Sequence, residues 1–533
     1  MSILLLSIFW VIRTIKTALF YAYLWQLKNY HVGRFLDHFR TEKGKRIIFN
    51  YLNLVKILLV FSFLLFPKSL ALILIILYFL ESGLLFKNIL SKRILGPVYT
   101  KKAILLLFIN IVAIFLIPIL AYWQFKLLPW IAISLLVADI LSPIWISLII
   151  LFLQPFTVLA RNQIIKKATQ KIEKQENLLT IGITGSYGKT TTKEFLYTIL
   201  SEKFNVLKTR EHQNSEIGIS QCILSDLKPT HEIFICEMGA YNKGGIKLLC
   251  NIAKPKIGIL TGINEQHMAT FGSQENIIKA KYELIESLPE KGLAIFNGDN
   301  TYCLELYHKT KKSKRVYKKQ NEAKKDEVDI YTKNIEISKD ECMKFKVCAK
   351  EECEDFKVHV FGPENIQNLL GAICCAKELG MSLEEISKSC KKITPNQGPM
   401  QIRKGINGLN ILDSTYSANP DGVIAQLEYL RELPGKKVII MPCLIELGQS
   451  SKEIHKIIGE KIGEICDLAI ITTKDKYKEI RESAIGTGMT EIDIFCLEDS
   501  KEIFDKIKAF CKTGDNILLE SRVPQKLIEM LIK

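Results

Sequence analysis

Residues 178–195 read LLTIGITGSYGKTTTKEF, an apolar run that leads into a glycine-rich loop. The common phosphate-binding loop is spaced G-x-x-x-x-G-K-[ST], and Gly188, Lys189 and Thr190 match its second half. The first glycine would then stand at position 183, which is isoleucine, and glycines flank it at 182 and 185. The stretch is therefore a chance turn, a degraded phosphate loop, or a different way of holding phosphates at a helix N-terminus.

Two later apolar runs also end at polar side chains. EIFICEMG (232–239) leads to Glu237, and KIGILTGINEQH (256–267) leads to His267. Short apolar runs that alternate with amphipathic segments are typical of an α/β domain with a largely parallel sheet. Ligands bind at the carboxyl ends of such strands, so we expect the glycine loop, the carboxylate and the imidazole on one edge. Taken singly, each residue has a structural alternative: Glu237 could cap a helix, and His267 could be an ordinary surface or core histidine.

Lys281 lies in the segment ENIIKAKYELIESL (275–288) and shares a helical face with Ile277, Leu284 and Leu288. This position predicts a lysine that points inward. A buried lysine favours its neutral, nucleophilic amine unless a carboxylate pairs with it. The alternative is a lysine at the edge of the apolar face whose ammonium group reaches solvent, and helical periodicity alone favours that alternative.

The first third of the chain differs from the rest in charge and hydrophobicity. Residues 1–178 contain 21 Lys+Arg and 6 Asp+Glu, whereas residues 179–533 contain 51 and 50, so nearly all of the +16 net charge lies at the front. Long apolar runs share this region, which indicates membrane flanks rather than a nucleic-acid-binding surface. All 14 cysteines lie at or after Cys222 without a C-x-x-C pair, which favours reduced thiols over a zinc site or a disulfide framework.

Two apolar runs, residues 103–123 and 128–153, are each long enough to cross a hydrocarbon core of about 30 Å. They predict a helical hairpin with both ends in the cytoplasm. The reason is that basic residues flank it on both sides: Lys101, Lys102, Arg161, Lys166 and Lys167.

The other apolar runs leave their topology open. Residues 56–80 have basic flanks at both ends, so a single crossing and a re-entrant hairpin are both possible. The N-terminal run, residues 2–25, predicts an uncleaved anchor or an interfacial helix. Asp139 lies inside the run 128–153, where it has either a function or a partner within the helix bundle.

Taken together, the polar strings resemble those of the Mur ligases, which build the peptide of bacterial peptidoglycan. TGSYGKTTTKEF is similar to the family's loop T-G-[ST]-x-G-K-T-[ST]-x-K-E, so the shifted glycine is a family variant. The resemblance spans residues 179 to about 530 and includes EHQNSEIG, CEMGAYNKGGI, NEQHMATFGSQENIIKAKYE, IFNGDN, GPENIQNLLGA, YSANPDG and IELG. Within the family, these strings are most similar to members that add D-alanyl-D-alanine to UDP-N-acetylmuramoyl-tripeptide.

The apolar runs predict an α-helical transmembrane region, and the resemblance implies two α/β domains after it: a central P-loop ATPase domain and a C-terminal Rossmann-like domain. We expect a membrane region at 1–155, a charged helical connector at 156–178, the ATP-binding domain at 179–395 and the C-terminal domain at 396–533. We expect a multi-pass protein of the bacterial inner membrane, with its catalytic domains in the cytoplasm.

The implied activity is that of an ATP-dependent, ADP-forming acid–amino-acid ligase, which phosphorylates a peptide carboxylate and transfers the acyl group to an amine. Its cofactors would be ATP and Mg²⁺. Its partners would be a muramoyl-peptide precursor, soluble or lipid-linked, D-alanyl-D-alanine or another amine, and the lipid bilayer, with no nucleic acid.

By position, the resemblance gives a role to each matched residue. The matches to catalytic residues are Lys189, Glu237, His267 and Lys281, with Lys281 carried as a carbamate. The matches to magnesium ligands are Thr190, Glu237 and His267. The matches to nucleotide contacts are Gly185, Ser186, Gly188, Lys189, Thr190, Thr191, Asn365, Asn368 and Asp413. The matches to substrate contacts are Asn214, Tyr416 and Asn419.

Several positions depart from the family pattern. The family's G-H-N reads GPEN at 362–365, and its G-R reads Gly398-Pro399, so the arginine is absent unless Arg403 replaces it. The last domain keeps one of two paired acids, Asp413, and reads PCLIELG at 442–448 where the family has G-D-M-x-E-L-G. The family's N-terminal domain, which grips the UDP group, has no counterpart here, because apolar runs lead almost directly into the catalytic sheet.

Three other functions remain as alternatives. The first is a ligase of the same chemistry on another cell-envelope or poly-amino-acid polymer. The second is an ATP-driven transporter, which is disfavoured because Met238-Gly239 follow Glu237 where a second acid would be expected. The third is a catalytically silent scaffold, which would follow if Pro399 prevented closure over ATP.

Overall fold

A computed structural model describes residues 2–28, 30, 32–63, 65–90, 95–211, 213–319, 328–337, 342–350, 352–360, 362, 364–397, 400–415 and 419–532. The chain divides into two compact units, Met1–Asn162 and Gln163–Lys533. The first unit is helical and the second is built on two β-sheets.

The helices of the first unit pack around a core of apolar side chains that includes Trp10, Leu74 and Leu135. They are α1 (Ser2–Leu27), α2 (Val32–His38), α3 (Glu42–Ile48), α4 (Tyr51–Ser62), α5 (Pro67–Leu90), α6 (Lys101–Phe125), α7 (Leu128–Ile140) and α8 (Ser142–Phe152). A ninth helix, α9 (Gln154–Glu173), begins in this unit and ends in the second.

Within the described residues, four helical segments are long and apolar enough to cross a membrane. They are Ser2–Leu27, Ser69–Ile89, Lys102–Phe125 and Ser142–Glu173. The sequence predicted one helix for the apolar run at 128–153. The structure has two, because α7 ends at Ile140 and α8 begins at Ser142. The run at 56–80 likewise divides between the shorter α4 and the longer α5.

Four charged side chains on four helices form a buried network in this unit. Lys56 of α4 lies 2.7 Å from the Glu81 carboxylate of α5 and 2.9 Å from the Asp139 carboxylate of α7. Arg13 of α1 pairs with both acids, and the Tyr78 hydroxyl donates a 3.3 Å hydrogen bond to Asp139. The two cations thus neutralise the two carboxylates, and Asp139 has its partners within the helix bundle.

The second unit begins with a nine-stranded sheet that helices cover on both faces. Its strands are β1 (Leu179–Thr184), β2 (Val206–Lys208), β3 (Ile233–Glu237), β4 (Ile257–Leu260), β5 (Leu293–Asn297), β6 (Ser313–Lys318), β7 (Ile330–Ile337), β8 (Met343–Ala349) and β9 (Glu352–Val358). Its helices are α10 (Lys189–Leu200), α11 (Glu216–Asp226), α12 (Gly245–Ala253), α13 (Met268–Phe271), α14 (Gln274–Glu286), α15 (Thr301–Lys309), α16 (Glu364–Glu378) and α17 (Leu383–Cys390).

The strand order is β2-β3-β1-β4-β5-β6-β7-β8-β9, with parallel pairs from β2 through β7 and antiparallel pairs at the β9 edge. The core strands β3 and β4 are buried at every residue, as expected for a parallel sheet covered on both faces. Fully buried side chains such as Phe195 and Leu196 of α10 each stabilise this packing by about 1.5–3 kcal/mol. The parallel register places Glu237 beside Ile183, next to the glycine loop.

A second, six-stranded sheet forms the last part of the chain in the order β10-β11-β15-β12-β13-β14. Its strands are β10 (Gln401–Lys404), β11 (Asn410–Ser414), β12 (Lys437–Met441), β13 (Leu468–Ile471), β14 (Ile494–Cys496) and β15 (Asn516–Glu520). Its helices are α18 (Pro420–Arg431), α19 (Ser451–Ile465), α20 (Tyr477–Gly486), α21 (Ser500–Phe510) and α22 (Gln525–Leu531). We call the two parts of this unit the middle domain and the C-terminal domain.

The predicted fold class, apolar helices followed by two α/β domains, is confirmed. The prediction that all cysteines are free thiols is wrong, because the structure joins Cys348 of β8 to Cys353 of β9 in a disulfide. These cysteines are only five residues apart but face each other across an antiparallel pair. A prediction from C-x-x-C spacing misses such a pair.

We predict that Asp139→Asn destabilises the helical unit. The substitution leaves two buried cations, Arg13 and Lys56, with one carboxylate, and breaking a buried pair in this way costs about 3–5 kcal/mol. The midpoint of thermal unfolding of the purified chain in detergent should fall, and adding Lys56→Gln should recover part of the loss. Asp37→Asn, at a more exposed pair with Arg40, serves as the control. An unchanged midpoint in Asp139→Asn would contradict the prediction.

Candidate active site

The glycine loop joins the end of β1 to the first turn of α10. Gly188 caps the helix with a left-handed backbone at φ +76°, and an added Cβ would lie 2.2 Å from the Asn368 side-chain oxygen. Only glycine fits this close approach without strain. The Ser186 N–H donates to the Gly262 carbonyl at 2.7 Å, which ties the loop to the segment after β4. The first amide groups of α10 therefore begin at the carboxyl edge of the sheet, a suitable place for an anion.

Lys189 folds back over this loop. Its ammonium group donates hydrogen bonds to the carbonyls of Gly185 at 2.8 Å and Ser186 at 3.1 Å. Burial lowers the pKa of Lys189, and the nearby Glu237 charge opposes that shift. The side-chain nitrogen of Lys189 thus lies at the mouth of the loop, bonded to two loop carbonyls.

Glu237 is surrounded by donors at the end of β3. Its two oxygens accept from Thr190 at 3.0 Å, from Asn214 at 3.0 Å and from Lys193 at 3.3 Å. Burial opposes ionisation, but the charges of Lys193 and Lys189 and the two neutral donors together hold the pKa of Glu237 below its usual value. Glu237 is therefore an ionised carboxylate beside the loop hydroxyl of Thr190.

Lys281 is buried, with 2% of its surface exposed. Among the described residues, none forms a hydrogen bond or an ion pair with its ammonium group, and the nearest ring is Phe271 at 5.8 Å. Burial, and then the charge of Lys189, lowers the pKa of Lys281 to about 7. The solvent-reaching alternative is therefore wrong for this lysine, which can carry a neutral amine near neutral pH.

His267 is the N-cap residue of α13, and its side chain contacts Glu446 of the C-terminal domain. The two side chains approach to 2.6 Å between the ring Nδ1 and a carboxylate oxygen. Burial lowers the pKa of His267, Glu446 opposes that shift, and the charges of Lys281 and Lys189 add to it. The histidine thus shares the electrostatic environment of both lysines.

The side chains at the loop suit a magnesium ion bound together with phosphates. Mg²⁺ commonly takes one or two protein oxygens and completes its shell with phosphate oxygens and water. Thr190 and Glu237 offer a hydroxyl and an ionised carboxylate 3.0 Å apart. Within the described part of the chain, no group of three or more His, Cys, Asp or Glu side chains is close enough to hold a metal. The predicted set of Thr190, Glu237 and His267 contains only two such side chains, so the role of His267 as a magnesium ligand stays a prediction.

Two of the predicted nucleotide contacts, Asn365 and Asn368, lie beside the loop, on α16. Asn368 packs against Gly188 and donates a 3.2 Å hydrogen bond to Asn365, and both asparagines are buried. In the C-terminal domain, Asp413 accepts from Thr415 at 2.7 Å and lies 3.5 Å from the Arg403 guanidinium.

Other predicted contacts lie at the boundary of the two domains or outside the described residues. Asn419 caps α18 and approaches Asn264 of the middle domain at 3.3 Å. Thr191 is buried in the first turn of α10. Tyr416, Gly398 and Pro399 lie outside the described residues, so their predicted contributions are not described.

Four residues near the site had no assigned role in the sequence: Lys193, Asn264, Asp421 and Glu446. Lys193 belongs to the matched loop string, and Asn264 lies three residues before His267. The Asn264 backbone N–H donates to the Ser186 hydroxyl at 3.1 Å, and the Asn264 side-chain amide donates to Asp421 at 2.7 Å, so Asn264 links the loop to the C-terminal domain. Glu446 belongs to the matched segment IELG, but the sequence of that segment does not show that Glu446 pairs with His267.

Two sequence profiles of one family match the chain. The profile of the Mur ligase middle domain matches residues 183–376, and that of the Mur ligase, glutamate ligase domain matches residues 398–522. Together the matched segments make up more than half of the 533 residues.

Named relatives and solved structures agree with the profiles. The UDP-N-acetylmuramoyl-tripeptide–D-alanyl-D-alanine ligase of Bacillus subtilis (strain 168) is 28% identical over 383 residues, 70% of this chain and 79% of its own. The crystal structure of MurF from Acinetobacter baumannii is 25% identical with a TM-score of 0.61, over 69% of this chain and 80% of its own. The MurF ligase of Thermotoga maritima in complex with ADP is 26% identical with a TM-score of 0.60, over 69% and 83%. The chain therefore belongs to the Mur ligase family of ATP-dependent ligases.

Proposed function

We propose that the chain is a membrane-anchored ATP-dependent amide ligase of peptidoglycan precursor synthesis. It activates the carboxylate of a muramoyl-peptide precursor and joins it to D-alanyl-D-alanine or a related amine. One observation carries the proposal: a phosphate loop, an ionised carboxylate and a buried lysine of lowered pKa lie together at one sheet edge. The Bacillus subtilis relative, which bears that activity in its name, supports this choice of substrates.

The proposed reaction has two steps. In the first, a carboxylate oxygen of the precursor attacks the γ-phosphorus of ATP, the bond to the β-phosphate oxygen breaks, and ADP leaves. In the second, the amine nitrogen attacks the acyl carbon, inorganic phosphate leaves with its electron pair, and the nitrogen loses one proton to the departing phosphate or to water. The protein contributes mainly by positioning and by charge, as expected for phosphoryl transfer.

The loop residues have roles that follow from their contacts. Gly185, Ser186, Gly188 and Thr191 are proposed to line the phosphates, and the Lys189 ammonium is proposed to exchange its loop carbonyls for β- and γ-phosphate oxygens. Thr190, Glu237 and His267 are proposed to hold Mg²⁺, which when bound would neutralise charge on the phosphates. Asn214 keeps Glu237 oriented through its 3.0 Å hydrogen bond and lies at the edge proposed for the substrate.

Lys281 is proposed to act as a carbamate. Its neutral amine attacks the carbon of carbon dioxide, a nitrogen–hydrogen bond loses its proton to solvent, and a carboxylate forms on the side chain. The lowered pKa and the absence of an ion pair among the described residues support this modification. The new carboxylate would replace an unfavourable buried ammonium by an anion that the charge of Lys189 stabilises.

The remaining contacts extend the site to both ends of the nucleotide. Asn365 and Asn368 are proposed adenine contacts, since they lie against the glycine loop. Asp413, with Arg403 beside it, is proposed to face the nucleotide from the C-terminal domain. Asn419 and Tyr416 are proposed substrate contacts.

The helical unit is proposed to be a multi-pass anchor in a bacterial inner membrane, with the ligase domains in the cytoplasm. Its lipid-like outer surface supports this, because large apolar side chains such as Leu105, Phe108 and Ile119 of α6 are more than half exposed. Such an anchor would raise the local concentration of any lipid-attached acceptor. The precursor is therefore either the soluble UDP form or its lipid-linked counterpart.

We expect purified chain in detergent to release phosphate from ATP only when a muramoyl-tripeptide acceptor and D-alanyl-D-alanine are both present. Lys189→Ala should lower turnover by on the order of 10²–10³-fold, since it removes a charge aimed at the phosphates. Lys203→Ala, at an exposed lysine just after α10, should retain wild-type turnover. The assay measures phosphate and product, with UDP-linked and lipid-linked acceptors offered in equal amounts. Undiminished amide formation by Lys189→Ala, or acceptor-independent ATP hydrolysis, would contradict the proposed ligase.

We predict that wild-type protein incorporates ¹³C-labelled bicarbonate as a carbamate, and that Lys281→Arg does not. Because the pKa of Lys281 is about 7, the neutral fraction rises from about one-tenth at pH 6 to about nine-tenths at pH 8. Labelling, read by ¹³C NMR, and activity at limiting bicarbonate should both rise with pH over this range. Lys281→Ala should regain part of its activity with added short carboxylic acids, and Lys279→Ala, on the exposed face of α14, should behave as wild type. An active, unlabelled wild type would exclude the carbamate.

The chain should stay with membranes through a high-salt wash and leave them only in detergent, because apolar helices rather than charges hold it. In intact cells, a membrane-impermeant thiol reagent should label Gln124→Cys near the end of α6. The same reagent should not reach Tyr99→Cys near the start of that helix. Release by salt alone, or equal labelling at both ends, would contradict the anchor and its orientation.

A further inference from the structure

The C-terminal domain reaches the middle domain through the Glu446 loop, which we define as residues 442–448. The Glu446 carboxylate lies 2.6 Å from His267 Nδ1, and the Glu446 carbonyl accepts a 3.1 Å hydrogen bond from the Ala269 N–H. Gly448 packs on Met268, where an added Cβ would lie 3.1 Å from the methionine side chain. The Glu446 loop thus contacts three consecutive residues: the N-cap His267 and the first two residues of α13, Met268 and Ala269.

Both partners of the central contact have an unusual backbone. His267 has φ +68° and Glu446 has φ +66°, in the left-handed region that residues with a side chain rarely occupy. Such conformations persist where surrounding contacts impose them, and they concentrate at functional sites. Here each residue turns its side chain toward the other from a different domain.

The Glu446 loop is anchored in its own domain. The buried His455 ring accepts a 2.9 Å hydrogen bond from the Leu444 N–H, and the Cys443 N–H donates to the Thr473 hydroxyl at 2.8 Å. The loop therefore presents the Glu446 carboxylate at a defined place whenever the two domains are together. On the other side of the imidazole, Tyr241 packs with its ring centroid 4.9 Å from that of His267.

We propose that Glu446 is a positioning residue for His267. By accepting a hydrogen bond from the protonated Nδ1, it holds the ring in the tautomer whose Nε2 lone pair is free to bind a divalent cation at the nucleotide phosphates. Partners of this kind orient metal-binding histidines and change metal affinity. The inference rests on the proposed metal role of His267.

This arrangement makes the histidine ligand depend on domain docking. His267 and Glu237 both belong to the middle domain, whereas Glu446 belongs to the C-terminal domain. A second domain contact, Asn264 to Asp421 at 2.7 Å, is separate from the imidazole. The effect of domain docking can therefore be separated from the positioning of the His267 ring by substituting Asp421 and Glu446 in turn.

The test uses purified full-length chain in detergent with saturating ADP and Mn²⁺ as the probe. Electron spin echo spectroscopy of bound Mn²⁺ reports whether an imidazole nitrogen is a ligand, and a titration gives the Mn²⁺ affinity. Wild type should show the nitrogen coupling, and His267→Gln should lack it. Glu446→Ala should lose most of the coupling and bind Mn²⁺ about 10–100-fold more weakly. Glu446→Gln, whose amide oxygen can still accept a hydrogen bond from Nδ1–H, should retain most of both.

Two further variants serve as comparisons. Glu453→Ala, at an exposed acid on α19, should match wild type, and Asp421→Ala should weaken docking while the docked fraction keeps its nitrogen coupling. Wild-type coupling and affinity in Glu446→Ala would overturn the positioning role, as would a Glu446→Gln variant as weak as Glu446→Ala. No coupling in wild type would instead remove the metal role of His267. Neither readout depends on the acceptor, so failure of the proposed ligase reaction remains distinguishable.

Discussion

The parallel pairing of β1 between β3 and β4 is the constraint on which the candidate site depends. Because all three strands run in one direction, their carboxyl ends lie on one edge, and the three segments that follow them meet there. The register places Ile183 beside Glu237, so the carboxylate lies level with the residue two positions before Gly185 of the glycine loop. The loop is in turn held by the Ser186 contact to Gly262 after β4.

Charge at this edge is arranged for a ligand that brings negative charge of its own. Lys189 and Lys193 both act on the ionised Glu237, Lys193 also pairs with Glu194 at 3.4 Å, and Lys281 adds a third cation when protonated. Positive charge without acidic partners is unfavourable in a buried site, and one response is the lowered pKa of Lys281. A nucleotide triphosphate, or a carboxylate formed on Lys281, would supply the missing negative charge.

The helical unit handles buried charge in the opposite way. Lys56 is as buried as Lys281, yet it lies within 3 Å of two carboxylates on neighbouring helices. That network is neutral as it stands and ties α1, α4, α5 and α7 together. A paired lysine and an unpaired one at similar depth thus serve different purposes: the first stabilises packing and the second is available for chemistry.

The sequence by itself determined the features that depend on local order. The glycine loop, the strand that ends at Glu237, the inward face of Lys281 and the apolar helices all follow from spacing and periodicity along the chain. Periodicity gives the direction of a side chain but not its depth, so it favoured a solvent-reaching Lys281 where the structure buries that residue. It also read residues 128–153 as one helix, because a break at Leu141 leaves the hydropathy unchanged.

Only the tertiary structure decided the contacts between residues distant in sequence. His267 and Glu446 are 179 positions apart, and Asn264 and Asp421 are 157 apart, so their pairing depends on how the middle and C-terminal domains pack together. Cys348 and Cys353 are close in sequence, but the register of β8 with β9 makes them partners. In each case, the deciding quantity is a distance set by packing and strand register, which residue spacing along the chain does not contain.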